Sequence, residues 1–255
     1  MNTQDLQAPR LLALGDAAWT VEFGQIINAD INARVMGLAD KISNIRTANP
    51  LFAAVTDVVP TFRSLTVHFN PQVAEADVLG AQLLAMANEG GQQAQEGRHW
   101  LLPVCFDAAF APDLPRLAEA KAMTEAAVIE RLLATEFRVY MIGFLPGFPY
   151  MGGLPPELAM PRLASPRQRV PAHSLAVAGE MCAVYPWESP GGWNLLGRTP
   201  VQLFDLRHTS QAAMLAAGDV VHWRAVDAAE YEHLLTQSQS GQLARETFLQ
   251  AESEQ

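Results

Sequence analysis

Apolar residues recur along the chain at two spacings, and the switches between them mark out the elements. Leu11 to Gly24 reads as two short strands broken at Gly15-Asp16, a pair that commonly turns the chain. Ile31, Val35, Leu38, Ile42 and Ile45 then follow at steps of four and three, which predicts a helix with one apolar stripe and Asn28 or Asp30 as N-cap. Leu51 to Val59 and Leu65 to Phe69 are β-rich and flank Pro60-Thr61-Phe62-Arg63-Ser64, so a hairpin with a long connection is expected. A second amphipathic helix is predicted from about Ala76 to Asn88, carrying Val78, Leu79, Leu83 and Met86. This first part reads β-β-α-β-β-α.

Gly90 to Gly97 is polar and glycine-rich, with nothing to bury, and is expected to connect two domains. Beyond it Trp100 to Phe106 alternates like a strand, Asp113 to Glu136 reads as helical, and Val139 to Phe144 as β. From Gly143 to Pro200 stand eight of the 17 glycines and ten of the 17 prolines, a texture of short strands and shaped loops that suits a barrel or sandwich. Leu175 to Ala178, Ala183 to Tyr185, Val201 to Leu206 and Val220 to Trp223 are the expected strands, and Asp227 to Leu249 is expected to be a polar terminal helix. The expectation is an α+β N-terminal domain over 1–92, a β-barrel domain over 98–226 and a helical tail over 227–255.

Charge narrows the function. A net charge of −10 disfavours nucleic-acid and anionic-membrane binding, which rest on Lys and Arg contacts to phosphate. Only Lys41 and Lys121 are lysines, so lysine catalysis is an unpromising reading. Met1 to Asp5 lacks the basic segment of a signal peptide, and no apolar run reaches membrane-spanning length; a cytoplasmic protein is expected. Cys105 and Cys182 read as buried thiols rather than nucleophiles. The six histidines show no metal-ligand spacing, and no metal site is expected.

Candidate chemistry concentrates between Gly143 and Asp205. Gly143 to Leu154 alternates aromatics with glycines and prolines, either a rigid loop presenting Phe148 and Tyr150 to a small ligand or partner, or an aromatic-plugged core turn. Arg162, Arg167 and Arg169 lie on a Pro-bounded stretch in a locally cationic segment, which points to a carboxylate or phosphate, with surface ion pairs as the alternative. Glu188 stands between Trp187 and Trp193; there it serves as acid, base or cation ligand if desolvated, or as partner to an arginine. Pro190-Gly191 reads as a type II turn. Gly192 to Thr199 nearly spells a phosphate-binding loop, with Arg198 at the lysine position, but the following Pro200 to Asp205 alternates as a strand where such a loop needs a helix.

GFLPGFPYMGGL (Gly143 to Leu154), PRLASPRQRVPAHS (Pro161 to Ser174) and YPWESPGGWNLLGRTPVQLFD (Tyr185 to Asp205) closely resemble the family of B-type 5-oxoprolinase subunits. That family, of the carboxyltransferase C/D domain group, includes the kinase A inhibitor proteins and is related to allophanate hydrolase subunit 1 and to part of urea carboxylase. Gly15-Asp16 with VEFG, and VVPTFRSLTVHFNP (Val58 to Pro71), resemble its N-terminal domain. The resemblance implies a cyclophilin-like barrel as the second domain, with no isomerase activity following from that label. It also implies a hetero-oligomer with two other 5-oxoprolinase subunits, one C-type and one A-type, the latter metal-dependent. Together they would cleave 5-oxoproline to glutamate with ATP, whether or not ATP touches this chain. Alternatives within the resemblance are a regulator that docks on a sensor histidine kinase and a component of a hydrolase for another amide or urea-like substrate.

Under this resemblance Glu188 and Arg167 are the catalytic candidates. The acidic substrate falls to Phe148, Tyr150, Arg162, Arg169, His173, Gly191, Gly192, Trp193 and Arg198. Two positions depart from the family pattern. His173 stands where the family usually has the glycine of VPAGS, and Met181-Cys182-Ala183 where it has a Gln-Thr-Gly-like stretch.

Overall fold

A computed structural model describes residues 8–72, 75–89, 97–209 and 211–250. The chain divides into two compact units, Met1–Glu96 and Gly97–Gln255. The glycine-rich connection expected between them lies, but for Gly97, outside the described residues.

In the first unit, strands β1 (Arg10–Ala13) and β2 (Ala18–Glu22) precede helix α1 (Ala29–Ile45). Strands β3 (Val55–Pro60) and β4 (Ser64–Phe69) and helix α2 (Ala76–Glu89) follow. The sheet is antiparallel in the order β1-β2-β4-β3. Asn28 caps α1, its Oδ1 accepting from the backbone N–H of Asp30 and Ile31. The predicted stripe of α1 packs with Leu79 and Leu83 of α2 on Val21, Leu65 and Val67 of the sheet. Two expectations are corrected. Pro50–Ala54 is a 3₁₀ turn, opened by Pro50 and capped by the Asn49 side chain, so the strand starts only at Val55. Val78 is 49% exposed and lies off the apolar face of α2.

The second unit begins with strand β5 (His99–Cys105), helices α3 (Leu114–Ala120) and α4 (Glu125–Leu133), and strands β6 (Phe137–Ile142) and β7 (Pro149–Gly152). Strands β8 (Arg167–Val170), β9 (Ser174–Ala178), β10 (Met181–Val184), β11 (Ser189–Gly191), β12 (Asn194–Arg198) and β13 (Val220–Val226) follow, then helix α5 (Ala228–Ser240). Seven strands close a barrel in the order β10-β7-β6-β13-β5-β12-β9, and β8 and β11 form a separate two-stranded ribbon. The C-terminal helix belongs to this unit; its Tyr231 stacks on Phe110, ring centroids 4.5 Å apart, in a small cluster with Cys105 and Val226.

Several elements differ from expectation, each for a local reason. The helix expected over Asp113 to Glu136 is two helices, because Ala122 takes a left-handed φ of 51° and Thr124 caps a new start. Val201 to Leu206 alternates in burial but pairs as no strand; Val201 and Leu203 plug the barrel core, and Phe204 makes one isolated bridge to Ala213. The phosphate-loop reading stays excluded, now because Asn194–Arg198 is itself barrel strand β12. Pro190-Gly191 is no type II turn, since Gly191 lies in β11 and is not among the positive-φ residues.

Every residue of β9 is buried, so both of its faces are covered. Leu175 and Val177 point into the barrel core with Cys182, Val184 and Leu196. The alternate residues Ala176, Ala178 and Ala183 face outward beneath Phe148, Tyr185 and Trp193. Small side chains on this outer face leave room for three large aromatics, and the candidate site is built on them.

Candidate functional site

On this outer face lies a groove of about 420 Å³, lined by Phe144, Phe148, Tyr150, Tyr185 and Trp193, with Leu163, Pro166 and Pro190 to Gly192 at the end of β11 completing it. Its size and mostly apolar lining suit a small ligand. Phe148 is the hub. It meets Tyr185 and Trp193 edge-on, at 5.1 and 6.3 Å between centroids, lies 4.8 Å from Tyr150, and carries Phe144 edge-on at 5.4 Å. Phe148 is 1% exposed and Phe144 64%, so one is floor and the other rim. Phe148 thus plugs the turn, and its ring also lines the groove.

The loop needs unusual backbone to do this. Phe144 has φ 69° and Gly147 φ 77°. A Cβ on Gly147 would stand 2.7 Å from that of Phe204, so only glycine fits there. Gly191 is equally constrained, because a Cβ would meet the Tyr185 hydroxyl at 2.3 Å.

Arg162 is the one charged residue in the lining, its guanidinium 5.9 Å over the Trp193 ring, and it has no acidic partner among the described residues. Its flanks are tied down. The side-chain amide of Asn194 donates to the Pro161 carbonyl at 3.1 Å, and the Leu163 N–H donates to the Gly192 carbonyl at 2.7 Å. The residues either side of Arg162 are thus bonded to the residues either side of Trp193.

The other two arginines are not available in this way. Arg167 lies in β8, not in a free loop; its guanidinium donates to Asp113 Oδ1 at 2.7 Å and to the Trp193 carbonyl at 3.3 Å. Arg167, expected as a catalytic candidate, thus has its charge met by Asp113 and holds the Trp193 carbonyl. Arg169 pairs with Glu188 at 2.7 Å, both side chains being at least half exposed. Glu188 is therefore half exposed rather than desolvated, and the arginine-partner alternative is the one observed.

Arg198 also stands elsewhere, 5.1 Å over Phe110 and outside the groove lining. Burial pushes the Tyr150 and Tyr185 hydroxyls up, so near neutral pH both are protonated. Cys105 and Cys182 are free and buried, and burial raises both thiols further from ionisation.

His173 takes a left-handed φ of 66°, which accounts for the glycine expected at this position. Its imidazole is outside the groove lining and Nδ1 is buried without a hydrogen-bond partner. Burial pushes its pKa down, the Arg198 charge adds to this, and a hydrogen bond with the Val201 backbone opposes it. The unfolded chain thus binds the proton more readily, so stability falls as pH drops below about 6.5, the ordinary histidine value. His173→Gly is expected to flatten that acid limb in thermal melts between pH 8 and 5, and to leave groove binding unchanged. Parallel melting profiles for the two proteins would refute this.

A second groove of about 500 Å³ is lined by Asp205, Arg207, Arg245 and Glu246, among others. Its cations are already committed. Arg207 Nε bonds both Asp205 oxygens at 2.9 and 2.8 Å and holds that carboxyl down to about 2. Arg245 donates to the Gln211 and Ala212 carbonyls. No group of three or more His, Cys, Asp or Glu able to hold a metal ion occurs among the described residues.

Residues 9–215 match the family model of the carboxyltransferase domain, subdomain C and D. Over 229 residues the chain is 33% identical to the B-type 5-oxoprolinase subunit of Bacillus subtilis, covering 86% of this chain and 93% of that protein. Among solved structures TTHA0988 is 32% identical with a TM-score of 0.70 over 83% of this chain, which spans 40% of that longer chain. The urea carboxylase of Kluyveromyces lactis, 18% identical, shares the fold with a TM-score of 0.78 over 92% of this chain and 23% of its own.

Proposed function

The chain belongs to the family of B-type 5-oxoprolinase subunits, and from that premise we propose that it is one member of an ATP-dependent complex opening 5-oxo-L-proline to L-glutamate. The observation that carries this is the match to the Bacillus subtilis protein along nearly its whole length. A lactam carbonyl is a poor electrophile. Coupling its hydrolysis to ATP supplies the driving force that ring opening lacks, and a division of labour among subunits follows from what this chain contains.

The groove suits the substrate better than the nucleotide. A triphosphate calls for several converging donors, such as the amides of a glycine-rich turn at a helix start, whereas the groove presents one guanidinium and aromatic walls. We therefore place ATP on the other two subunits, the C-type protein and the metal-dependent A-type protein. The groove's lining holds no carboxylate, histidine, cysteine or lysine to act as base or nucleophile.

The expectation is that this chain, purified alone and given ATP, magnesium and 5-oxoproline, forms no glutamate. It should draw the other two subunits through affinity purification when all three are co-expressed. Glutamate formation by the single chain, or failure to retain either partner, would count against the proposal.

A further inference from the structure

We propose that the outer-face groove is a receptor for one ring-bearing monocarboxylate, with the carboxylate on Arg162 and the ring on the floor of Phe148 and Trp193, and that it holds this ligand without cleaving it. This rests on the reading of 5-oxoproline as substrate and adds where, and by which group, this chain would recognise it.

The charge count selects the anion. Three arginines crowd the Pro161 to Val170 stretch, but Asp113 neutralises Arg167 and Glu188 neutralises Arg169. One guanidinium is left facing the groove, which matches a single carboxylate in a two-pronged contact. A dianionic phosphate would be left with half of its charge uncompensated.

The walls select the ring. Phe148 and Trp193 are almost fully buried, at 1% and 5% exposure, and stand at 89° to one another, so a flat five-membered ring meets one face and one edge. Arg162 over Trp193 sets the anion beside that floor rather than remote from it. The bonds from Asn194 to Pro161 and from Leu163 to Gly192 fix this arrangement before ligand arrives, which lowers the ordering cost of binding.

Holding without cleaving follows from the same lining. The nearby acids are committed: Asp113 accepts from Arg167 and from the Leu195 N–H, and Glu188 is paired outside the groove. The two tyrosine hydroxyls in the groove stay protonated near neutral pH and so donate hydrogen bonds rather than abstract protons.

The test is titration calorimetry on the full chain with four probes: 5-oxo-L-proline, cyclopentanecarboxylate, 2-pyrrolidinone and inorganic phosphate. Both carboxylates should bind with affinities within about tenfold of each other, and 2-pyrrolidinone, which lacks the carboxylate, on the order of tenfold or more weaker. Arg162→Gln should weaken 5-oxoproline binding on the order of tenfold to a hundredfold, with partial recovery in Arg162→Lys. Its melting temperature should stay near wild type, since Arg162 is exposed and carries no ion pair among the described residues.

Equal binding of 2-pyrrolidinone and 5-oxoproline, phosphate binding in preference to both carboxylates, absence of carboxylate binding at millimolar concentration, or an Arg162→Gln chain with wild-type affinity would each overturn the proposal. In the assembled complex, turnover of 5-oxoproline with an unchanged KM in Arg162→Gln would defeat the groove and leave the proposed function standing. Arg162-dependent binding of cyclopentanecarboxylate alongside a complex that does not process 5-oxoproline would do the reverse.

Discussion

Asp113→Ala is expected to destabilise the barrel unit by about 3–5 kcal/mol, the usual cost of breaking a buried ion pair from one side. Asp113 is 6% exposed. One carboxylate oxygen accepts from Arg167 at 2.7 Å and the other from the Leu195 N–H at 2.7 Å, while the Asp113 N–H donates back to the Leu195 carbonyl. Alanine strands a buried amide and leaves Arg167, 28% exposed at its side chain, without its counter-charge. The damage should reach the groove, because Arg167 also bonds the Trp193 carbonyl. Denaturant unfolding would show the stability loss. Weaker 5-oxoproline binding by the folded fraction, in a residue that lines no part of the groove, would show the coupling. A variant with wild-type stability and binding would refute both.

Asp219→Ala should be nearly as damaging, at about 3 kcal/mol. This side chain, 3% exposed, accepts from the Arg98 N–H at 3.0 Å, the Arg98 guanidinium at 2.8 Å, the Trp100 indole at 2.9 Å and the Ala216 N–H at 3.0 Å. It sits where β5 and β13 begin their parallel pairing, Val220 opposite His99. Losing the acceptor leaves the indole N–H of Trp100, itself 2% exposed, buried without a partner. Arg98 is 37% exposed at its side chain, and water takes over part of its contribution, so the expected loss stays below that of a fully buried pair. The expected drop in Tm is on the order of 10 °C. A drop of only a degree or two would place the anchor of this junction elsewhere.

Periodicity was enough to read most of the fold. The α1 stripe, its Asn28 cap and the β-rich texture after Gly143 all answer to local rules. What escaped is non-local. Val201 to Leu206 alternates because alternate side chains plug the barrel, and burial alternation without a neighbouring ladder looks the same in sequence as a strand. β9 looks like an ordinary barrel strand, and only its unbroken run of small and branched apolar residues hints that both faces are covered.

The site shows the same division. The aromatic loop, Trp193 and the arginine cluster stand out by composition alone. Which arginine faces a ligand does not, since Arg167 finds its partner in Asp113, 54 positions away, and Arg169 in Glu188. Asp113 and Asn194 carried no sequence signal beyond an ordinary helix start and a strand residue, yet they hold the groove's one uncompensated cation in register with its aromatic floor. In sequence His173 is a bulky residue at a glycine position, and its left-handed backbone explains that glycine by conformation rather than by the ligand.

The most direct test of the central claim is release of glutamate from 5-oxo-L-proline, coupled to ADP formation, by the co-purified complex of all three proteins and by the same preparation lacking this chain. Glutamate and ADP in equal amounts from the full complex, and none when this chain is left out, is the predicted result. Equal rates of glutamate release with and without it would contradict the assignment of this chain as a working part of a 5-oxoprolinase.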